Sequence, residues 1–270
     1  MEKQGRTRIM GILNVTPDSF HDGGRYTGLD SALKRAVEMY NEGADIIDVG
    51  GESTRPGSEP VPSQEEIDRV CPVIERVVKE TGLAVSVDTT KSAVAEAAVR
   101  AGASIINDIS GLTFDPAIAG VAARHKTGLV IQHIKGRPKD MQNNTEYGDL
   151  IQEILDFLTS TAENALNSGV KRDGLIIDPG IGFGKSLEQN YIIIRELGRF
   201  TSAGYPVLVG LSHKSLIGQL YKNGEVRLPA TIALNAAAVL NGASIIRVHD
   251  VKAHRLAMES IDFLNSVRAD

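Results

Sequence analysis

Short apolar runs alternate with longer stretches of helical periodicity along the whole chain. The apolar runs are Arg8–Val15, Ala44–Gly51, Ala84–Thr90, Ser104–Ser110, Gly128–Ile134, Leu175–Pro179, Pro206–Ser212 and Ser244–Asp250. Most are nearly continuous rather than alternating, as expected of parallel strands covered on both faces. Between them, Tyr147–Ser168 places Ile151, Ile154, Leu155, Leu158, Ala162 and Ala165 on one helical face. Ser63-Gln64-Glu65-Glu66 has the form of a capping box. Gly43, Gly82, Gly102, Gly128, Gly169, Gly204 and Gly242 each stand between a helical pattern and the next strand, where a left-handed residue stops a helix. A last helix at about Lys252–Val267 closes the series. Eight strands alternating with eight helices predict an α/β fold, a (β/α)8 TIM barrel, as a single domain over residues 1–270. A doubly wound open sheet is the alternative, because the pattern does not prove closure.

Composition narrows the function classes. The chain has 270 residues and is 42% hydrophobic, enough for one large core. A net charge of −5 argues against a broad nucleic-acid surface, while leaving room for a local cationic pocket. The opening stretch Met1–Met10 lacks the apolar region of a signal peptide, and no apolar run approaches a membrane span. A cytoplasmic protein with no membrane partner is expected. Cys71 is the only cysteine, so neither a disulfide nor a cysteine zinc site is expected, and a buried structural thiol is. Two Gly/Pro-rich stretches, Thr16–Gly28 and Glu52–Pro62, read as long βα loops of the kind that form lids.

Candidate chemistry gathers at the strand ends, where barrels place their sites. The runs end in Asn14, Asp48, Asp88, Asn107 with Asp108, His133, Asp178, Ser212 followed by Lys214, and Arg247 with His249. Any one of these could be a cap or a satisfied buried group. Their convergence on one mouth is costly unless they are paired or bind something. Asp88, Asn107 and Asp178 suit the N–H donors of a planar heterocycle. Lys214, Arg247 and His249, as potential cations beside Asn14, suit a phosphate-type group. The Arg-Val-His spacing puts Arg247 and His249 on one face of a strand.

Other motifs lead nowhere. Gly180 to Gly184, ahead of Lys185-Ser186, is one residue short of a phosphate-binding loop, and the stretch has no Gly-x-Gly-x-x-Gly spacing. Ser186 is placed to cap the following helix. The histidines lack zinc spacing. Asn14-Val15-Thr16 and Asn143-Asn144-Thr145 are chance matches to the glycosylation pattern.

At these residues the chain resembles the dihydropteroate synthase family. The resemblance runs through Met10–Phe20, Asp48–Gly57, Ser86–Thr89, Asn107–Gly111, Asp178–Lys185 and Arg247–Asp250, in the family's order and over nearly the whole chain. It implies a (β/α)8 barrel and the condensation of 6-hydroxymethyl-7,8-dihydropterin diphosphate with 4-aminobenzoate. It implies that Asp88, Asn107, Asp178 and Lys214 hold the pterin. Arg247 would stack on the ring and bind diphosphate with His249 and Asn14. Magnesium (Mg2+) would be coordinated near Asn14. Thr16–Phe20 and Ser53–Pro56, with Thr54 and Arg55, would close as loops, and Lys214 and Ser215 would lie near the aminobenzoate carboxylate. A homodimer is implied, with the Ala-rich helix around Pro229–Leu240 a candidate contact.

The chain departs from the family at two places. Ser212-His213-Lys214 stands where the family has Ser-Arg-Lys, and period two would turn His213 away from the ligand. Lys135 replaces an arginine, keeping the charge and losing the planar fork. The second loop is unlike that of sulfonamide-resistant relatives, so sulfonamide sensitivity is expected. Two other readings use the same pterin grip. One is a methyltetrahydrofolate-to-corrinoid methyltransferase domain, which has no use for a diphosphate subsite. The other is a non-catalytic pterin-binding paralogue, which His213 keeps open.

Overall fold

The computed structural model describes residues 5–16, 25–220 and 227–267. Residues 17–20 of the expected first lid lie outside the described residues, as does the side chain of Ser215.

The apolar runs become β1 (Arg8–Asn14), β2 (Ile46–Gly50), β3 (Ala84–Asp88), β4 (Ile105–Asp108), β5 (Gly128–Gln132), β6 (Leu175–Asp178), β7 (Leu208–Gly210) and β8 (Ile245–Val248). All paired neighbours are parallel, in the order β6-β5-β4-β3-β2-β1-β8-β7. One parallel bridge, Ile177 to Val207, joins β6 to the start of β7. There the Ile177 N–H donates to the Pro206 carbonyl at 3.0 Å. The sheet therefore closes, and the open-sheet alternative falls. Most strands are shorter than the run that predicted them, because the outer residues of each run leave the ladder to begin loops.

Alternation along each strand sorts side chains to the two faces of the wall. Met10, Ile46, Ile105, Val130, Ile176, Leu208 and Ile245 fill the barrel interior as one apolar cluster. Two residues further along the same strands, the same face carries Ile12, Asp48, Asn107, Gln132, Asp178, Gly210 and Arg247. The inner wall thus changes from apolar to polar in a single step towards the C-terminal mouth. The opposite parity, including Ile9, Ile47, Val85, Ile106, Leu129 and Ile246, belongs to the larger core beneath the helices.

The helices are α1 (Arg25–Asn41), α2 (Ser63–Thr81), α3 (Ser92–Arg100), α4 (Ala117–His125), α5 (Leu150–Asn167), α6 (Leu187–Arg195), α7 (Leu197–Thr201), α8 (Ser215–Leu220), α9 (Arg227–Leu240) and α10 (Val251–Ser266). Eight helices were expected. The β6–β7 connection holds two because the chain breaks at Glu196, and the β7–β8 connection also holds two. Helix α1 starts inside the stretch expected to be a loop. A third long connection, from β5 to α5, was not anticipated.

Local signals fared unevenly. Ser186 and Gln189 form a full capping box at α6. The box expected at Ser63 does not form: Pro62 is the N-cap of α2 and makes no side-chain cap bond. Glu66 turns inward to Lys91 instead. Six of the seven stop glycines have positive φ; Gly128 does not, and Lys126 takes the left-handed position at the end of α4 with φ 57°. Cys71 is half-buried on α2 rather than buried, and desolvation pushes its thiol up to about 11. No helix among the described residues is long and apolar enough to cross a membrane.

Candidate active site

The polar ring at the mouth is built by register. Asp48 of β2 lies opposite Ser86 of β3, Asp88 of β3 opposite Asn107 of β4, and Asp178 of β6 opposite Gln132 of β5. Arg247 of β8 enters from the far side beside Gly210, where a Cβ would stand 3.8 Å from its own.

Asp48 is the hub of this ring. Its Oδ2 accepts the Arg247 Nε–H at 2.6 Å and the Asn107 amide at 3.1 Å. The other arm of Arg247 donates to Asp88 Oδ2 at 2.6 Å. Among the described residues, three carboxylate and amide oxygens of the ring are buried without a partner, Asp48 Oδ1, Asp88 Oδ1 and Asn107 Oδ1, as is the Ser86 hydroxyl. Each unmade bond costs about 1–3 kcal/mol, so the ring suits a donor-rich ligand.

Asp178 completes the grip. Its Oδ1 accepts the Gly180 N–H at 2.7 Å. Lys214 arches over the glycine loop, with its stem 3.2 Å from where a Gly182 Cβ would be and its Nζ 3.9 Å from the Phe183 ring centroid. Burial pushes Asp88 up to about 7 against the pull of Arg247, and Asp178 up to about 6 against Gly180 and Lys214. Burial also brings Lys214 down to about 8, with Asp178 opposing.

The two subsites read from the sequence are not separate. Arg247 is committed to two carboxylates and joins the subsites rather than standing as a free cation. His249 is not a cation at all. Burial, then His213 and Arg247, hold its imidazole down to about 3, so it is neutral at working pH. Its Nδ1 lies 3.0 Å from Ser212 Oγ. Arg55, in the β2–α2 loop, also bears on His249. Asn14 lies beside Asp88, since a Cβ at Gly50 would meet Asn14 Oδ1 at 3.6 Å and Asp88 Cβ at 3.5 Å. Thr54 is half-buried and Arg55 exposed.

Two strand-end residues do not join the ring as expected. Asp108 has the outward parity of Ile106, and its carboxylate accepts from Ser110 and Leu112 backbone N–H groups at 2.8 and 2.7 Å to brace its own loop. His133, outward like Ile131, meets the buried Lys185 Nζ at 3.0 Å. The period-two argument for His213 does not apply, because β7 ends at Gly210. His213 takes φ 58° in the following turn, bonds Asp250 Oδ2 at 3.0 Å and lies against His249 with ring centroids 4.6 Å apart.

Sequence reasoning brought Asp48 to the mouth but gave it no role in the site, and it gave none to Gln132 or Lys185. Parity would have found the first two, because each lies two residues beyond an interior apolar residue. Lys185 is buried and donates to the carbonyls of Gly180 and Phe183 at 2.8 and 3.0 Å. It pins the glycine loop that carries Phe183.

Residues 10–249 match the model of the pterin binding enzyme family. The chain belongs to that family. The dihydropteroate synthase of Bacillus subtilis is 48% identical over 248 residues, covering 92% of this chain and 85% of that one. The dihydropteroate synthase of Clostridium difficile, solved in the presence of pteroic acid, superposes with a TM-score of 0.92 at 42% identity, covering 98% and 99% of the two chains. That of Xanthomonas albilineans in complex with 7,8-dihydropteroate gives a TM-score of 0.87 at 39% identity, covering 97% and 95%. For a pterin-binding barrel, the unpartnered oxygens of Asp48, Asp88 and Asn107 are the complement of a flat ring edged with N–H donors.

Proposed function

We propose that the chain is a transferase that condenses 6-hydroxymethyl-7,8-dihydropterin diphosphate with 4-aminobenzoate, giving 7,8-dihydropteroate and diphosphate. The observation that carries this is the ring of buried, unpartnered acceptors joined through Arg247 to a cationic rim at Lys214. Asp88, Asn107 and Asp178 accept from the pterin edge. Lys214 neutralises the departing diphosphate, Arg247 adds the N–H groups not spent on Asp48 and Asp88, and neutral His249 donates a hydrogen bond to it rather than a charge. The carbon–oxygen bond to diphosphate breaks early, and the electron-rich ring delocalises the methylene cation. The neutral arylamine then captures it, so no strong base is needed. Thr54, Arg55 and the backbone around Ser215 complete the aminobenzoate side and keep water out.

Magnesium fits this site in one way. Among the described residues no three of His, Cys, Asp and Glu gather as a metal cage, so Asn14 would supply a single oxygen, and diphosphate and water the rest. When bound, such an ion would supply charge neutralisation to the leaving group. The same reading includes a cytoplasmic homodimer. Exposed Leu240 on α9, with Leu256, Phe263 and Leu264 on α10, supports a helix-borne contact.

Purified protein given magnesium, the pterin diphosphate and 4-aminobenzoate is expected to release diphosphate and form pteroate in equal amounts, with a sulfonamide suppressing the pteroate. Methyl transfer without condensation, or pterin binding without turnover, would replace this reading with one of the other two.

The acid shifts set a pH dependence. A donor edge is held by carboxylates, not carboxylic acids. With burial holding Asp178 near 6 and Asp88 near 7, affinity for uncharged 6-hydroxymethylpterin is expected to rise by about tenfold or more from pH 5 to 7.5. Fluorescence titration across that window checks it, and a flat profile contradicts it.

A further inference from the structure

Lys91 lies between β3 and α3 and takes no part in the ring at the mouth. Its Nζ donates to Glu52 Oε2 at 2.6 Å and to Glu66 Oε2. Glu52 opens the β2–α2 loop that carries Thr54 and Arg55, and Glu66 stands in the first turn of the helix that ends it. The same Glu52 oxygen accepts the Val61 N–H at 2.6 Å, drawing residues 52–61 into a ring. Arg69 adds a tie to the Gly51 carbonyl at 2.7 Å.

The electrostatics agree with the geometry. Glu66 is 1% exposed, and burial pushes its carboxyl above the ordinary range despite Lys91. For Lys91, burial works against the charge, but the two carboxylates outweigh it and the ammonium is held more firmly than usual. Such a triad stabilises little that apolar side chains could not. What it contributes is a fixed geometry at the root. The outer part of the loop is held more lightly, by the Gly57 N–H to the Pro138 carbonyl at 3.0 Å and an exposed Lys139–Glu59 pair at 2.7 Å.

We propose that Lys91 is a positioning residue: through Glu52 and Glu66 it fixes the root of the 52–61 loop, and so the place where Thr54 and Arg55 meet the second substrate. This rests on the reaction proposed above. Without the ammonium, Glu52 loses its tie to Glu66 and only the Val61 N–H holds it, so the root of the loop shifts and the arylamine loses its seat while water gains one. Water then adds its oxygen to the methylene cation and gives a proton to solvent, diphosphate having left with the bonding pair. The product is 6-hydroxymethyl-7,8-dihydropterin.

Two variants test this. Lys91→Met removes the cation. Glu52→Ala removes the acceptor that Val61 and Lys91 share but leaves the Lys91–Glu66 pair. A misplacement of about 1 Å can cost up to about 100-fold, and both variants are expected to raise KM for 4-aminobenzoate about tenfold. Both should release more diphosphate than pteroate formed, bind 6-hydroxymethylpterin within about twofold of the parent, and exchange the amide hydrogens of residues 53–60 faster. Lys91→Arg is expected to restore the parent values. Unchanged KM, balanced products and slow loop exchange in folded Glu52→Ala would overturn the proposal, even if Lys91→Met fails to fold. Parent protein that makes no pteroate would defeat the reaction instead, and the exchange measurement would still judge the loop.

Discussion

Arg247→Met is expected to abolish turnover and to destabilise the fold by about 3–5 kcal/mol, the cost of removing one partner from a buried ion network. In the parent, one guanidinium serves Asp48 and Asp88 at 2.6 Å each, and both carboxylates are almost completely buried. Methionine fills similar volume but leaves two neighbouring charges in a medium that does not solvate them. Asp88 is already pushed up to about 7 with the arginine in place, and without it protonation becomes easier still. The destabilisation should therefore shrink as pH falls from 8 to 5, because protons replace the lost cation. Arg247→Lys keeps a charge but cannot reach both carboxylates as a planar fork does. It is expected to lose about 100-fold in kcat/KM and less stability than the methionine variant. Denaturant midpoints at both pH values, with diphosphate release, give the answer. A methionine variant within 1 kcal/mol of the parent at pH 8 would mean that Arg247 does not hold the ring together.

The barrel was legible because parallel strands buried on both faces leave long apolar runs, and each run here matches a strand. The site was half legible, and parity explains the difference. Asn107 lies two residues beyond interior Ile105 and faces the mouth; Asp108 lies two beyond Ile106 and faces its own loop. Adjacent polar residues look alike in a sequence, and only the register assigns them opposite faces. The period-two argument for His213 failed because its strand stops at Gly210, a length set by pairing with β8 at Arg247. The false capping box at Ser63 has the same origin. A local motif lost Glu66 to Lys91, a partner 25 positions away. The charge of His249 was beyond any sequence, since burial beside Arg247 and His213 decides it.

Asp178→Ala is expected to lower affinity for 6-hydroxymethylpterin by about 100-fold or more. Hydrogen bonds to a charged group are worth about 1.5–3 kcal/mol each in place, and a carboxylate facing two adjacent N–H donors makes the strong, paired kind. Asp178 already spends Oδ1 on the Gly180 N–H and is drawn towards its charged form by Lys214, Lys185 and Arg247. The ligand completes a half-made set of bonds rather than creating one. Asp178→Asn separates the two duties. Its amide oxygen can still accept from Gly180, so the glycine loop and Phe183 stay in place, but its NH2 group meets the ring donor to donor. The asparagine variant is therefore expected to fold like the parent and to bind pterin nearly as poorly as alanine. Fluorescence titration of both, beside a thermal unfolding curve, distinguishes a lost grip from a lost loop. Parent-like pterin affinity in either folded variant would place the ring somewhere other than this mouth.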